Sequence, residues 1–292
     1  MEIPGWPASR PIDVTDKAHF DSIFMQLQPR VSELTFAGLY LFRSVHEYCL
    51  SLIGESVVVL GKGYDGTHYC LPPLGGDTTS ACNLLLDGGL ELYGADDLLV
   101  SRFLHNVDCI IIEARDSFDY LYLREELADL PGSRYHKKKN RIKYFTARHT
   151  YEVYRLNQQH LCGCLQLLDE WGRVAEVEGN RSFGLEMDAT VEGLAQAESL
   201  GLEGVVVMIE GVVRAFAVGE RLNRETAVCH FEKADHFMEG LSQLVNREFA
   251  RLLFSDCRYI NREQDLGEPG LRNAKLSYHP VELVKKYLVH RK

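Results

Sequence analysis

The feature that most constrains this chain is an internal recurrence: helical and extended segments follow one another in the same order in both halves. In the first half, Thr15 is a good N-cap, Phe20, Ile23, Phe24 and Leu27 fall at helical spacing, and Pro29 stops the run. A second helical stretch covers 36–42, and three β-rich runs follow at 48–53, 57–60 and 68–71, separated by turn residues. That is an antiparallel meander. The spacing then predicts helix over most of 79–106, a short buried-type strand at 108–113, a basic helix at 135–145 and a strand at 151–156. The second half repeats this order. Leu161, Cys164, Leu165, Leu168 and Trp171 mark one helix, and Leu185, Val191, Leu194 and Ala195 mark another. Strands follow at 205–209, 212–218 and 226–231, with Glu210 and Gly211 forming the first turn. A helix carrying Leu241, Leu244, Val245, Phe249 and Leu252 comes next, then strand 257–261, a short helix at 271–276 and strand 284–289.

The meanders begin at Cys49 and Val205, roughly 156 residues apart, which is the size of one domain. We therefore expect two domains, 1–156 and 157–292, each an α/β (α+β) unit with a mixed sheet, an antiparallel meander and flanking helices. The 292 residues are 46% hydrophobic and 25% charged, a balance that excludes wholesale disorder and fibrous architectures. No apolar run reaches the roughly 18 residues of a spanning helix, because Glu210 and Arg214 break the best one. The first residues have neither a basic region nor an apolar core, so no signal peptide is expected and the address is cytoplasmic. The eight cysteines sit mostly beside apolar residues, which suits reduced core thiols.

A net charge of -10 opposes indiscriminate binding to polyanions. Against that background, 134–148 concentrates seven of the 32 basic residues. Lys138, Ile142 and Phe145 share one helical side, and Lys137, Lys139, Arg141 and Lys143 occupy the rest. Such a helix is either a solvated face or a phosphate-binding strip for a nucleotide, a coenzyme or a tRNA backbone.

The glycine-rich stretch Gly61, Gly63, Gly66 follows a strand but leads into another strand, so a dinucleotide site lacks its helix and a hairpin loop is expected. The densest polar segment is 259–280, which leaves a strand, turns at Gly267, Pro269 and Gly270, and enters a short helix. Loops beyond strand ends are exposed yet held by a rigid sheet, which favours binding and catalytic groups there. Asn261, Glu263, Asp265, Arg272 and Lys275 are expected to converge. Cys162, Cys164, Cys229, His230 and His236 have no zinc spacing, and no metal is expected.

Residues 120–132, then 136–141, then Asn261 to Gly267 with Gly270 to Lys275, resemble the family built around the C-terminal domain of phosphatidylglycerol lysyltransferase. The resemblance extends over nearly the whole chain. It implies two tandem GCN5-related N-acetyltransferase folds, as in the Fem peptidyltransferases, which move an aminoacyl group from tRNA to an amine or hydroxyl. The usual acetyl-coenzyme A signature is absent: Glu232 to Gly240 stands in its place in the second half, and Leu74 to Thr78 is a loose substitute in the first.

The expected function is transfer of an acyl or aminoacyl group from an activated donor, an aminoacyl-tRNA or an acyl-coenzyme A, to a small amine or hydroxyl acceptor. Glu263 or Asp265 would act as base. Asn261, Arg272, Lys275 and Tyr278 would bind substrate or anion, Lys137 and Arg141 would form a second anion site, and irregular backbone would polarise the carbonyl. The alternative is a non-catalytic module that keeps the tandem fold and senses a small anion or tRNA; turnover separates the two.

Overall fold

The computed structural model describes residues 2–178 and 181–292. The chain forms two compact units. One runs through Tyr120 and adds Gln264–Asn273 and Leu283–Lys292; the other is Leu121–Glu263 with Ala274–Glu282.

The sheet of the first unit has the spatial order Arg10–Pro11, Cys49–Ile53, Ser56–Lys62, His68–Cys70, Glu91–Ala95, Tyr287–Arg291, Cys109–Glu113. The meander pairs antiparallel, as its alternation and turns require. The step from His68–Cys70 to Glu91–Ala95 is parallel and needs a crossover, which helix Thr78–Asp87 supplies. Ala81, Cys82, Leu85 and Leu86 of that helix pack with Val58, Cys70, Leu92 and Val289 into one core. The glycine-rich stretch is the expected hairpin loop, with Gly61 opposite Tyr69 and Lys62 opposite His68.

The second sheet has the order Glu282–Val284, Asp119–Leu123, Tyr259–Asn261, Thr226–Ala234, Val212–Arg221, Glu203–Ile209, Tyr151–Arg155. The observed strands Glu203–Ile209, Val212–Arg221 and Thr226–Ala234 match the second predicted meander. Helix Leu241–Leu252 crosses over to the parallel strand Tyr259–Asn261 and buries Leu241, Leu244, Val245 and Phe249, one apolar stripe.

Four local expectations change. The region 79–106 is two helices with strand Glu91–Ala95 between them. The expected strand 284–289 is two strands, Glu282–Val284 and Tyr287–Arg291, which belong to different sheets. The break falls at Lys285 and Lys286. Lys286 is fully buried in the first unit, 2.7 Å from Asp119 and 2.6 Å from Glu33, and Ser32 donates to Asp119. The strand expected as buried, now Cys109–Glu113, is a sheet edge with Ile110, Ile111 and Ile112 exposed; a continuous apolar run does not say which of its faces is covered. Lastly, the compact units do not divide at residue 156. Leu121, Tyr122 and Leu123 pair with Asn261, Ile260 and Tyr259, so backbone hydrogen bonds tie this part of the first half to the second sheet.

Candidate functional site

In the second unit, strands Thr226–Ala234 and Tyr259–Asn261 pair in parallel only at Thr226, Ala227 and Val228, opposite Tyr259, Ile260 and Asn261. Beyond these pairs the strands part. Thr226–Ala234 continues with its other edge bonded to Val212–Arg221, while the chain after Asn261 turns away through Glu263, whose φ of 55° is left-handed. On the meander side the same stretch is bulged: Gly219 faces Cys229 and Val218 faces Phe231, leaving His230 as the extra residue. Gly219 is required there, since a Cβ would lie 2.0 Å from the carbonyl oxygen of Val228.

The bulge aims His230 at two carboxylates. Its Nδ1 lies 2.7 Å from Glu263 Oε1 and its Nε2 lies 3.0 Å from Glu220 Oε1. Burial disfavours the imidazolium, but the two carboxylate hydrogen bonds outweigh it and take the His230 pKa up to about 10. At neutral pH both ring nitrogens therefore carry hydrogen and donate. Glu263 is further set by the Asn261 side chain, which accepts its backbone N–H at 2.7 Å. The Glu263 side chain is 28% exposed, against 3% for His230, so the carboxylate is the accessible member of the pair.

Two residues along, on the same face, Glu232 accepts from Arg262 at 3.1 Å and from the Asn246 amide at 2.9 Å. Asn246 Oδ1 and Arg262 Nη1 are buried without a hydrogen-bond partner, so an acceptor and a donor are left unmet on either side of one carboxylate. The Arg262 guanidinium also lies 5.1 Å from the centre of the Tyr278 ring. Lys138 Nζ sits 4.0 Å over that ring and 2.7 Å from Ser277 Oγ. Partial burial, with Arg262 and Arg141 nearby, brings the Lys138 pKa down to about 8.

The sequence-predicted residues separate into two groups. Asp265 and Arg272 lie in the first unit. Asp265 is fully buried; Arg272 binds it at 2.7 and 2.9 Å, Arg115 at 3.2 Å and the Tyr120 hydroxyl at 2.5 Å. Burial opposes its charge, but Arg272 and Tyr120 hold its carboxyl far below the usual carboxylate range. Arg272 also reaches Asp116 at 2.6 Å. In the second unit, Asn261, Glu263, Lys275 and Tyr278 come together. Lys275 is buried and spends its ammonium on the carbonyl oxygens of Arg262 and Glu263, at 2.6 and 3.2 Å, which staples the loop. Tyr278 is buried and its carbonyl accepts from Tyr135. Lys137 and Arg141 are exposed on helix His136–Thr146.

The places of His230, Glu220, Glu232, Asn246, Arg262 and Lys138 in this site come from the fold and not from their spacing in the sequence. One signal was present: His230 and Glu232 alternate on a strand otherwise rich in Ala, Val, Cys and Phe, which marks a polar face on a buried strand.

The N-termini of both crossover helices are engaged. Asp77 caps Thr78–Asp87, its carboxylate accepting from Ser80 at 3.1 Å. In the second unit Gly240, at the start of Leu241–Leu252, packs so closely on helix His136–Thr146 that a Cβ would fall 2.1 Å from the Arg141 carbonyl oxygen.

Two seven-stranded mixed sheets, each a meander followed by a parallel crossover, define a tandem GCN5-related N-acetyltransferase-like fold. The family model described as phosphatidylglycerol lysyltransferase, C-terminal, matches residues 24–290, and the chain belongs to that family. A conserved protein of unknown function from Bacteroides thetaiotaomicron is 30% identical and superposes with a TM-score of 0.90, covering 97% of this chain and 99% of that one. L-PGS from Bacillus licheniformis shares the fold at 12% identity, with a TM-score of 0.64 over 100% of this chain and 94% of that one. An uncharacterised protein of Mycoplasmoides gallisepticum is 23% identical over 175 residues; the chain spans 56% of that curated relative's length. Among the described residues, no helix is long and apolar enough to cross a membrane, and no cluster of His, Cys, Asp and Glu is arranged to hold a metal.

Proposed function

We propose that the chain transfers an acyl or aminoacyl group to an amine or hydroxyl acceptor, and that the reaction takes place where Thr226–Ala234 parts from Tyr259–Asn261. The observation that carries this reading is the juxtaposition of two parting strands, a bulge at His230 and a carboxylate, Glu263, fixed by that histidine. Backbone N–H groups held in a sheet are fixed donors for a carbonyl oxygen as it gains negative charge. Glu263 removes the proton from the acceptor, whose nitrogen or oxygen then attacks the donor carbonyl. The carbonyl bond to the leaving group breaks, and that group departs with a proton. His230 is a positioning residue: its ring N–H, 2.7 Å from Glu263 Oε1, fixes where that side chain points.

Glu263 is favoured over Asp265 as base because Asp265 is buried and its oxygens are already taken by Arg272, Arg115 and Tyr120. An aminoacyl-tRNA is favoured over acyl-coenzyme A as donor for a similar reason. Coenzyme A commonly places its pyrophosphate at a helix N-terminus; here one is capped by a carboxylate and the other is packed against Arg141. Exposed Lys137 and Arg141 supply the charge for a phosphate backbone. The name of the family this chain belongs to agrees with an aminoacyl-transferase-like activity.

Thermal-shift screening with aminoacyl-tRNAs, coenzyme A thioesters and nucleotides, followed by product analysis on each hit, tests the reading. Stabilisation by an aminoacyl-tRNA with a transferred product is the expected result. Stabilisation without product would make the chain a binding module, and stabilisation by thioesters alone would overturn the choice of donor.

A further inference from the structure

Strand Cys109–Glu113 ends the first sheet, with Tyr287–Arg291 as its one neighbour among the described residues. Alternate residues of an antiparallel strand direct their N–H and C=O groups to each side, so half of this strand's backbone groups face outward from the sheet. The side chains along that edge are apolar: Ile110, Ile111 and Ile112 are 48%, 38% and 49% exposed. Protein edges are ordinarily protected by a bulge, a proline or an outward lysine. This strand has none of these within it, and its register with Tyr287–Arg291 runs without a shift.

We propose that Cys109–Glu113 pairs with the same strand of a second copy, antiparallel and about a two-fold axis at Ile111. That register places Ile111 against itself, Ile110 against Ile112 and Cys109 against Glu113. Ile111 shares a face with Val289, its neighbour across the pair and a fully buried member of the core, so two opposed Ile111 side chains continue that core from one copy into the other. Ile110 and Ile112 form the matching apolar cluster on the opposite face.

Charge fits the same arrangement. At one end of the strand Lys285 pairs with Glu113 at 2.5 Å, and at the other Lys292 pairs with Asp108 at 3.1 Å. Each end is thus a neutral pair, Glu113 on the face of Ile111 and Asp108 on that of Ile110, and the two-fold sets Glu113 beside Cys109 and Asp108 beside Ala114, so no like charges are directly opposed. A partner strand of different sequence would not in general meet this requirement, which is why a second copy is favoured as occupant.

Sedimentation or light scattering across a concentration series tests the pairing. Wild type is expected to dimerise, and Ile111→Lys, which opposes two ammonium groups at the axis, is expected to weaken the dimer by about 100-fold or more while circular dichroism stays native. A monomeric wild type, or a dimer indifferent to Ile111→Lys, overturns the proposal. Register is tested by cross-linking in a Cys162→Ser background, which removes an exposed thiol. Glu113→Cys should form a disulfide-linked dimer with native Cys109, because directly opposed antiparallel residues lie within disulfide range. Ile112→Cys should not; equal cross-linking of both, or none of Glu113→Cys, overturns the register.

Discussion

His230 and Glu263 meet at 2.7 Å between two strands that stop pairing after Val228 and Asn261. The contact exists because a bulge turns His230 out of the ladder and a left-handed backbone at Glu263 turns its carboxylate back toward it. A strained conformation at a non-glycine residue persists when its surroundings hold it, and here Asn261, Lys275 and His230 all do so.

Glu263→Gln should retain the fold and donor binding but lower the transfer rate by roughly 100-fold to 10,000-fold, the usual contribution of a general base. Single-turnover kinetics with a saturating donor would check it. A rate within a few-fold of wild type would remove Glu263 from the chemistry.

The His230 ion cluster makes stability fall on the alkaline side. The folded-state pKa is raised to about 10 from an unfolded value near 6.5, so the contribution is complete below about 6.5 and disappears as pH rises through about 10. Denaturant titrations between these limits should show wild type losing on the order of a few kcal/mol more than His230→Gln. A parallel pH dependence in both proteins would contradict the raised pKa.

Asp265→Asn should destabilise the first unit by about 3–5 kcal/mol, since it leaves Arg272 and Arg115 facing a neutral amide at a buried position. Wild-type stability from this carboxylate is present above about pH 3.8 and is lost as pH falls through the depressed folded value. Calorimetry would measure both effects; an unchanged Tm would show that the pair is dispensable.

Lys137→Ala and Arg141→Ala should weaken tRNA binding without altering the melting temperature. Each should reduce the slope of log affinity against log salt by about 0.7–1. Slopes equal to wild type would place the nucleic-acid contact elsewhere.

Gly219→Ala should disturb the bulge, because its Cβ would press on the Val228 carbonyl and the Phe249 ring, at 2.0 and 2.9 Å. Transfer activity is expected to fall together with Tm, by a few degrees or more. An alanine variant with wild-type rate and stability would mean that the strand shifts freely there.

Much of the architecture was legible because it rests on local periodicity. Both meanders, the crossover helix with its stripe from Leu241 to Phe249, and the basic helix with Ile142 and Phe145 inward follow from spacing alone. The site was legible only in part. Asn261, Glu263 and Lys275 lie close in sequence and stay together, but His230, which meets Glu263, arrives from a distant strand, as do Glu220 beside His230 and Asn246 beside Glu232 from other distant elements.

The sequence by itself determined most of the helices and strands and the repeat of their order, since hydrophobic period and turn residues act over a few positions. Tertiary structure decided the rest. Residues 284–289 read as one strand, yet Glu282–Val284 and Tyr287–Arg291 enter different sheets, with Lys286 buried between Asp119 and Glu33. Asp265 and Glu263 look alike as candidate bases, but one is locked by two arginines and a tyrosine while the other remains accessible. The three isoleucines of Cys109–Glu113 read as core and lie on an open edge. In each case the deciding factor is pairing between residues far apart in the chain, and local patterning does not encode which distant strand or charge becomes the neighbour.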